Sequence, residues 1–287
     1  MNRSQRSHLT VAALSHPGLT GKNNEDRYSV CAYTGEAEKP VLFAVVSDGI
    51  GGHRAGEVAA ELAVNYIVEK VSLSDGKNPL EIMESAIHSA SEAIASRSAS
   101  KPEQQGMGAT CACVWVEGDR LYTAYIGDSR IYLVRDGKIQ RLTVDHTWVQ
   151  EAIERGIITA DQAHDHPNVH VIRRHLGQAE LPEVDYRLRL NPEDGIEQAK
   201  QNQGTQLRAG DILLMCSDGL TDLVWDDEIL RLITTRNALK SAAEDLVAQA
   251  NERGGHDNIT VVLIGVPKEG MVDPHEKKGF LQNLLRG

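Results

Sequence analysis

The chain has no excess of basic charge. Lys and Arg number 30 against 41 Asp and Glu, a formal net charge of −11. A nucleic-acid-binding surface needs a basic face, and this balance argues against one. Long hydrophobic runs are also missing, so no membrane span is expected. Met1 to His8 is polar and basic, without the apolar centre of a signal peptide. Cysteine is scarce: only Cys31, Cys111, Cys113 and Cys216 occur, each in an apolar or strand-like run. Buried free thiols in a reducing cytoplasm are the expectation. Cys111 and Cys113 fall on one face of a strand. A C-x-C pair can be half a zinc site, but no second half with ligand spacing follows. Nucleotide-binding loops are absent too. Gly49-Ile50-Gly51 and Gly106-Met107-Gly108 do not complete G-x-G-x-x-G, and no G-x-x-x-x-G-K-[ST] exists. What is present is ordinary for a globular protein: 287 residues, 41% hydrophobic, enough for one large domain or two small ones.

One stretch organises the rest. Val41 to Ser47 is an unbroken apolar run rich in β-branched residues, too short for a typical helix and ended abruptly by Asp48-Gly49-Ile50-Gly51-Gly52-His53. It reads as a buried strand delivering a carboxylate. Such a carboxylate is costly to desolvate unless it is paired or holds a metal. A lone Asp at a turn is ordinary, but the pattern recurs. Ile212 to Cys216 runs into Ser217-Asp218-Gly219, Tyr122 to Ile126 into Gly127-Asp128, and His256-Asp257-Asn258 opens a last strand. Asn24-Glu25-Asp26 precedes the strand from Arg27. Converging carboxylates repel one another and call for divalent cations between them. All-oxygen ligands suit magnesium or manganese rather than zinc.

The remaining pattern gives an α+β class. Helices are expected over Glu57 to Lys70, with Val58, Leu62 and Tyr66 beside Ala59, Ala63 and Ile67 in one apolar stripe, and over Pro79 to Arg97. Four strands between Ala109 and Leu142, joined by turns such as Asp136-Gly137, form an antiparallel meander, which excludes a doubly wound parallel fold. Further helices are expected over Asp145 to Gly156, Thr159 to Ala163, Asp226 to Thr235 and Ala238 to Arg253. Strands are expected over Glu183 to Leu190 and Asn258 to Val266. Residues 1–7 read as a disordered lead, 8–266 as one domain and 267–287 as a charged tail, where Phe280, Leu281, Leu284 and Leu285 could form a short amphipathic turn. Within the domain, residues 145–180 read as a flap. Its histidines His164, His166, His170 and His175 lack metal spacing and suggest a solvated loop over the site mouth. Residues 191–206 read as a mobile polar insertion.

Taken together these motifs resemble the metal-dependent protein phosphatases, the type 2C serine/threonine (PPM) family, in its bacterial form. The matching pieces are Asn24-Glu25-Asp26, Asp48-Gly49-Ile50-Gly51-Gly52-His53 with Ala55-Gly56-Glu57, Gly108-Ala109-Thr110, Gly127-Asp128-Ser129-Arg130, Leu142-Thr143-Val144-Asp145-His146, Ser217-Asp218-Gly219-Leu220 and Asp257-Asn258-Ile259-Thr260. They follow the family's order. The resemblance implies a central β-sandwich of two antiparallel sheets flanked by helix pairs. It implies two Mn²⁺ or Mg²⁺ ions: Asp48 bridging them, Asp218 and Asp257 on one, Asp26 and the Gly49 carbonyl on the other. Asp128, sharing Asp218, would hold a third, weaker ion, and Glu25 would reach the site through water. His53 does not align with the histidine of eukaryotic members and receives no general-acid role. Family members usually carry an Arg where this chain has Gly21; Lys22 beside it could partly replace that phosphate clamp, as a point charge rather than a fork.

The implied reaction is hydrolysis of phosphoserine or phosphothreonine esters. Catalysis would rest on Asp48 and Asp218, with a metal-activated water as nucleophile and no side-chain nucleophile. No cysteine here is followed six positions later by arginine, as a thiol phosphatase requires. The implied partners are phosphoproteins made by a Ser/Thr kinase, met by a cytoplasmic monomer. A catalytically weak phosphoprotein-binding relative is the alternative, supported only by Gly21.

Overall fold

A computed structural model of the chain describes residues 1–51, 55–164 and 166–268. In chain order its elements are β1 (Asn2–Ser4), β2 (Thr10–His16), β3 (Arg27–Thr34), β4 (Pro40–Ser47), β5 (Gly49–Ile50), α1 (Ala55–Leu73), α2 (Pro79–Ser100), β6 (Gly108–Ala109), β7 (Cys111–Glu117), β8 (Arg120–Ile126), β9 (Arg130–Arg135) and β10 (Lys138–Arg141). There follow α3 (Trp148–Glu154), α4 (Ala160–His164), α5 (Ile196–Gln201), β11 (Thr205–Gln206), β12 (Ile212–Cys216), α6 (Asp218–Thr221), α7 (Asp226–Thr234), α8 (Leu239–Glu252) and β13 (Ile259–Gly265). One sheet runs β1-β3-β4-β7-β8-β11 and the other β10-β9-β12-β13-β2, while β5 and β6 form a short ribbon. Every pairing is antiparallel.

Side-chain alternation builds the layers. Along β4, Val41, Phe43 and Val45 meet α1 and α2, whereas Leu42, Ala44 and Val46 meet the opposite sheet. All six are 0% exposed, which is why the run is apolar without a break. On β13, Val262 and Ile264 fill the space between the sheets, and Val261 and Leu263 meet α7 and α8. The order is helix pair, sheet, sheet, helix pair, the expected sandwich. Each large apolar side chain buried this way contributes about 1.5–3 kcal/mol. In α1, Ala59, Ala63 and Ile67 are buried and Val58 and Leu62 half-buried, but Tyr66 is 39% exposed at the stripe's edge. The four cysteines are free and buried.

Four expectations need correction. The lead is ordered: Asn2, Arg3 and Ser4 pair with Thr34, Tyr33 and Ala32 of β3. Glu183 to Leu190 is no strand. Only Asp185 bridges Tyr125 of β8, whose edge is shared with β11, and Leu188 N donates instead to Ala199 O. The 191–206 segment holds α5, with Ala199 fully buried. Polar contacts anchor it: Gln203 reaches the Thr123 backbone and Tyr186 O, and Asn202 Nδ2 donates to Leu188 O. Hydropathy cannot register such anchors. Helix α3 starts later than expected, capped by Thr147 Oγ1 accepting from Gln150 N, because Asp145 and His146 are engaged elsewhere. His53 and the apolar tail residues Phe280, Leu281, Leu284 and Leu285 lie outside the described residues.

Candidate metal centre

Strand register carries all five acidic sites to one end of the sandwich. Arg27 pairs with Ser47, so Asp26 before β3 and Asp48 after β4 emerge side by side. Cys111 pairs with Ile126, placing Asp128 past the same end. In the second sheet Cys216 lies between Arg130 and Val261, so Asp218 and Asp257 emerge there too.

The backbone around each carboxylate is held by side chains. Asp48 N donates to Thr110 Oγ1 at 2.9 Å, and Thr110 N donates to Asp48 O at 2.9 Å. Ser217 Oγ donates to Asp26 Oδ2 at 2.7 Å and accepts from Thr260 N at 3.0 Å. Asn258 ties three pieces together: its Oδ1 accepts from Glu25 N at 2.6 Å, its Nδ2 donates to Pro17 O and Asn23 O, and its own N–H donates to Asp257 Oδ1. Gly49 is required by close approach. A Cβ there would lie 2.2 Å from Gly56 O and 2.9 Å from Glu25 O.

The carboxyls crowd each other. Burial first, then the charges of Asp26, Asp218 and Asp128, push Asp48 well above the usual carboxylate range. Burial first, then the charge of Asp257, also raises Asp218. Burial raises Asp26 to about 7 against the pull of the Ser217 and Thr260 hydroxyls, and Asp218 and Asp257 add to the rise. Asp128 is raised by burial and by Asp218, with Arg130 opposing. Glu25 is raised by burial and Asp257, with Lys22 opposing. Asp26, Asp128 and Asp218 each keep a buried Oδ1 with no hydrogen-bond partner. Buried acceptors without donors are rare and need an explanation. Hard divalent cations fit an all-oxygen set of this kind.

Several contributing residues carried no sequence signal beyond their place in the matched motifs. Asp145, 9% exposed, takes a bidentate contact from Arg130 and a bond from Arg141. Burial works against its ionisation, yet the two guanidiniums hold it below the usual range. His146 Nδ1 accepts from Gly127 N while Nε2 meets Asp185 Oδ2 at 3.0 Å, fixing the turn that presents Asp128. The Leu142 to His146 motif thus supports the centre from behind. The signal for Ser217, Asn258 and Thr110 was their place inside the matched motifs.

Beside the carboxylates lies a cavity of about 1220 Å³, walled on one side by Val149, Ile153, Val169 and Ile172 of the expected flap. Its histidines divide. His166 stacks on Trp148 at 4.6 Å, His175 is half-buried against Leu176 O, and His170 is exposed at the cavity. The His164 side chain lies outside the described residues. Lys22 is exposed and acts on Glu25, and Gly21 takes a left-handed φ of +73°. Among the described residues, no helix is long and apolar enough to cross a membrane.

The family profile described as "Protein phosphatase 2C" matches residues 19–263. The serine/threonine protein phosphatase PstP of Mycobacterium tuberculosis is 36% identical over 259 residues, 90% of this chain and 45% of that protein. The chain therefore spans about half the length of the mycobacterial relative, but 92% of the Listeria monocytogenes serine/threonine phosphatase stp, which is 31% identical. Among solved structures, the S. agalactiae serine/threonine phosphatase is similar at a TM-score of 0.78 and 31% identity, covering 90% of this chain and 99% of that one. The catalytic domain of PstP in complex with two manganese ions is similar at a TM-score of 0.72 and 33% identity, covering 90% of this chain and 97% of that one. This chain belongs to the protein phosphatase 2C family.

Proposed function

We propose that the chain hydrolyses phosphoserine and phosphothreonine esters of proteins with two Mn²⁺ or Mg²⁺ ions. The observation that carries this reading is the set of buried, partnerless carboxylate oxygens on Asp26, Asp128 and Asp218, brought together from both sheets. Asp48 would bridge the pair, Asp218 and Asp257 would hold one ion, and Asp26 with the Gly49 carbonyl the other. Asp128 with Asp218 would hold a third, weaker ion, with Glu25 acting through water. The ions supply Lewis acidity that lets water ionise near neutral pH and offsets charge on the phosphoryl oxygens.

The chain's own residues do the rest. Ser217, Asn258 and Thr110 hold the ligating segments at fixed separation, so little reorganisation is needed on loading. The flap wall offers an apolar surface to the peptide flanking the phosphoresidue. Lys22, beside Glu25, supplies a cation near the phosphate's approach. No thiol competes as nucleophile: Cys216 is fully buried, and burial pushes its thiol far up. Helix pairs cover both outer sheet faces, which supports a monomer, and four free buried thiols support a cytoplasmic setting. The substrates would be proteins phosphorylated by a Ser/Thr kinase.

Phosphate release from p-nitrophenyl phosphate and a phosphothreonine peptide tests this, with and without Mn²⁺. Mn²⁺-dependent turnover, lost in folded Asp48→Asn and Asp218→Asn, is expected. Near-wild-type rates in both variants would remove the centre from the reaction.

A further inference from the structure

The corner between α6 and α7 sets a large aromatic side chain on the wall of the cavity. Trp225 closes that corner and is 54% exposed, whereas Trp115 is fully buried and Trp148 stacks on His166. Leu223 and Val224 precede it, and all three line the cavity. Ile153 of α3 and, later in the flap, Val169 and Ile172 line it from the other wall. Ile153, Val169, Ile172 and Leu223 are only half-buried, so both walls keep apolar surface open to the cavity. The same cavity reaches Asp48, Asp218 and Asp257, which makes the apolar walls continuous with the carboxylate centre. The chain from Asp218 towards Trp225 stays helical, with Asp222 N donating to Asp218 O and Val224 N to Leu220 O. At about 1.5 Å of rise per residue, Trp225 lies about 10 Å along from Asp218. An extended peptide covers about 7 Å in two residues and returns its side chains to the same face. The breadth of the indole spans the difference. A peptide with its phosphoresidue at the centre therefore carries its next same-facing side chain to Trp225.

We propose that the groove between Trp225 and the flap is a subsite for the substrate chain, selecting proteins with a large apolar side chain two residues from the phosphoserine or phosphothreonine. The proposal rests on the phosphatase reading and names a substrate class for it. Trp225 is the specificity-determining residue: it presents a rigid apolar face, and Ile153, Val169 and Ile172 cover the incoming side chain from the opposite wall. The charges nearby sharpen the choice. Asp226 and Asp227 follow Trp225 directly, and both line the cavity with Asp222. The cavity's arginines are engaged, Arg130 and Arg141 by Asp145 and Arg189 by the Pro192 carbonyl. An acidic side chain beside Trp225 meets like charge and is rejected, while an apolar one exchanges water for the groove.

The test uses the full chain with Mn²⁺ and phosphothreonine peptides that differ only two residues to either side of the phosphothreonine, where Leu, Ser or Glu is placed. Leu on one side is expected to raise kcat/KM about 10-fold over Ser, mainly through KM, and Glu there to lower it. Trp225→Ala, at an exposed position, should lose the Leu preference at an unchanged melting temperature, and Trp225→Phe should keep most of it. Ile153→Ser, on the facing wall, should reduce the same preference. Equal kcat/KM for the Leu and Ser peptides, or a preference that survives in Trp225→Ala, would overturn this inference alone. So would a dimer in solution that Trp225→Ala dissolves, which gives the face to a second copy. Equal rates that separate only after removal of residues 269–287 would overturn it too, giving the face to the chain's own tail. Absence of Mn²⁺-dependent hydrolysis of p-nitrophenyl phosphate by wild type would instead remove the phosphatase reading beneath it.

Discussion

Ser217 Oγ donates to Asp26 Oδ2 at 2.7 Å, joining residues 191 positions apart that flank strands of different sheets. The bond fixes which oxygen of Asp26 stays free: Oδ2 is taken, and Oδ1 is buried without a partner. It also favours the anion that a cation needs, against burial that pushes Asp26 to about 7.

Removing that hydroxyl should therefore weaken metal binding without touching a ligand. Supporting hydrogen bonds of this kind are worth about 10–100-fold in metal affinity. Ser217→Ala should raise the Mn²⁺ dissociation constant within that range in calorimetry. It also strips a partner from the buried Thr260 N–H, so the melting temperature should drop. Wild-type affinity in this variant would mean that Asp26 does not bind the metal.

The cluster also fixes a pH dependence. Burial first and neighbouring carboxylates second raise Asp48, Asp128 and Asp218, and Asp26 moves from 3.8 to about 7. Without metal, the folded state binds more protons than the unfolded chain. Stability from this source is complete below the unfolded pKa and is lost as pH rises through the folded one. Metal-free protein should thus melt at progressively lower temperature from about pH 5 to about pH 8, and saturating Mn²⁺ should remove the trend. Loading should release protons, read as a buffer-dependent binding enthalpy. A flat metal-free profile would contradict the crowding.

Gly49 should not tolerate a side chain. A Cβ would lie 2.2 Å from Gly56 O, a backbone atom at the start of α1. Gly49→Ala should cost about 1–3 kcal/mol or more by overpacking, read as a lower urea midpoint. An unchanged midpoint would mean that β5 and α1 are not in contact as described.

Much of this was legible in the chain and some was not. The apolar run from Val41 to Val46 announced a strand because both of its faces are covered, and the aspartates after it and after Cys216 were readable because strands end abruptly at Gly-rich turns. Convergence of Asp26, Asp128 and Asp257 was an inference from recurrence, whose physical basis is antiparallel register. Polar anchoring left no periodic trace. Residues 191–206 looked mobile because Gln203 and Asn202, rather than apolar side chains, hold them. Asp145 looked like a helix start, whereas its carboxylate is committed to Arg130 and Arg141.

Lys22 offers a narrower test. It is exposed and close enough to Glu25 to stabilise that anion. If it meets the substrate phosphate, Lys22→Ala should raise KM for a phosphopeptide about 2- to 5-fold, as for a solvent-exposed ion pair, with kcat kept. An unchanged KM would leave it a solvated loop lysine.

The central claim is that aspartates from both sheets enclose a pair of hard cations. Anomalous diffraction at the manganese edge, on crystals grown with Mn²⁺, tests it most directly. Two strong peaks are expected within bonding distance of Asp48, one also touching Asp218 and Asp257, the other Asp26 and the Gly49 carbonyl. Peaks lying elsewhere, or none in a protein that still hydrolyses phosphopeptide in thorough chelator, would contradict it.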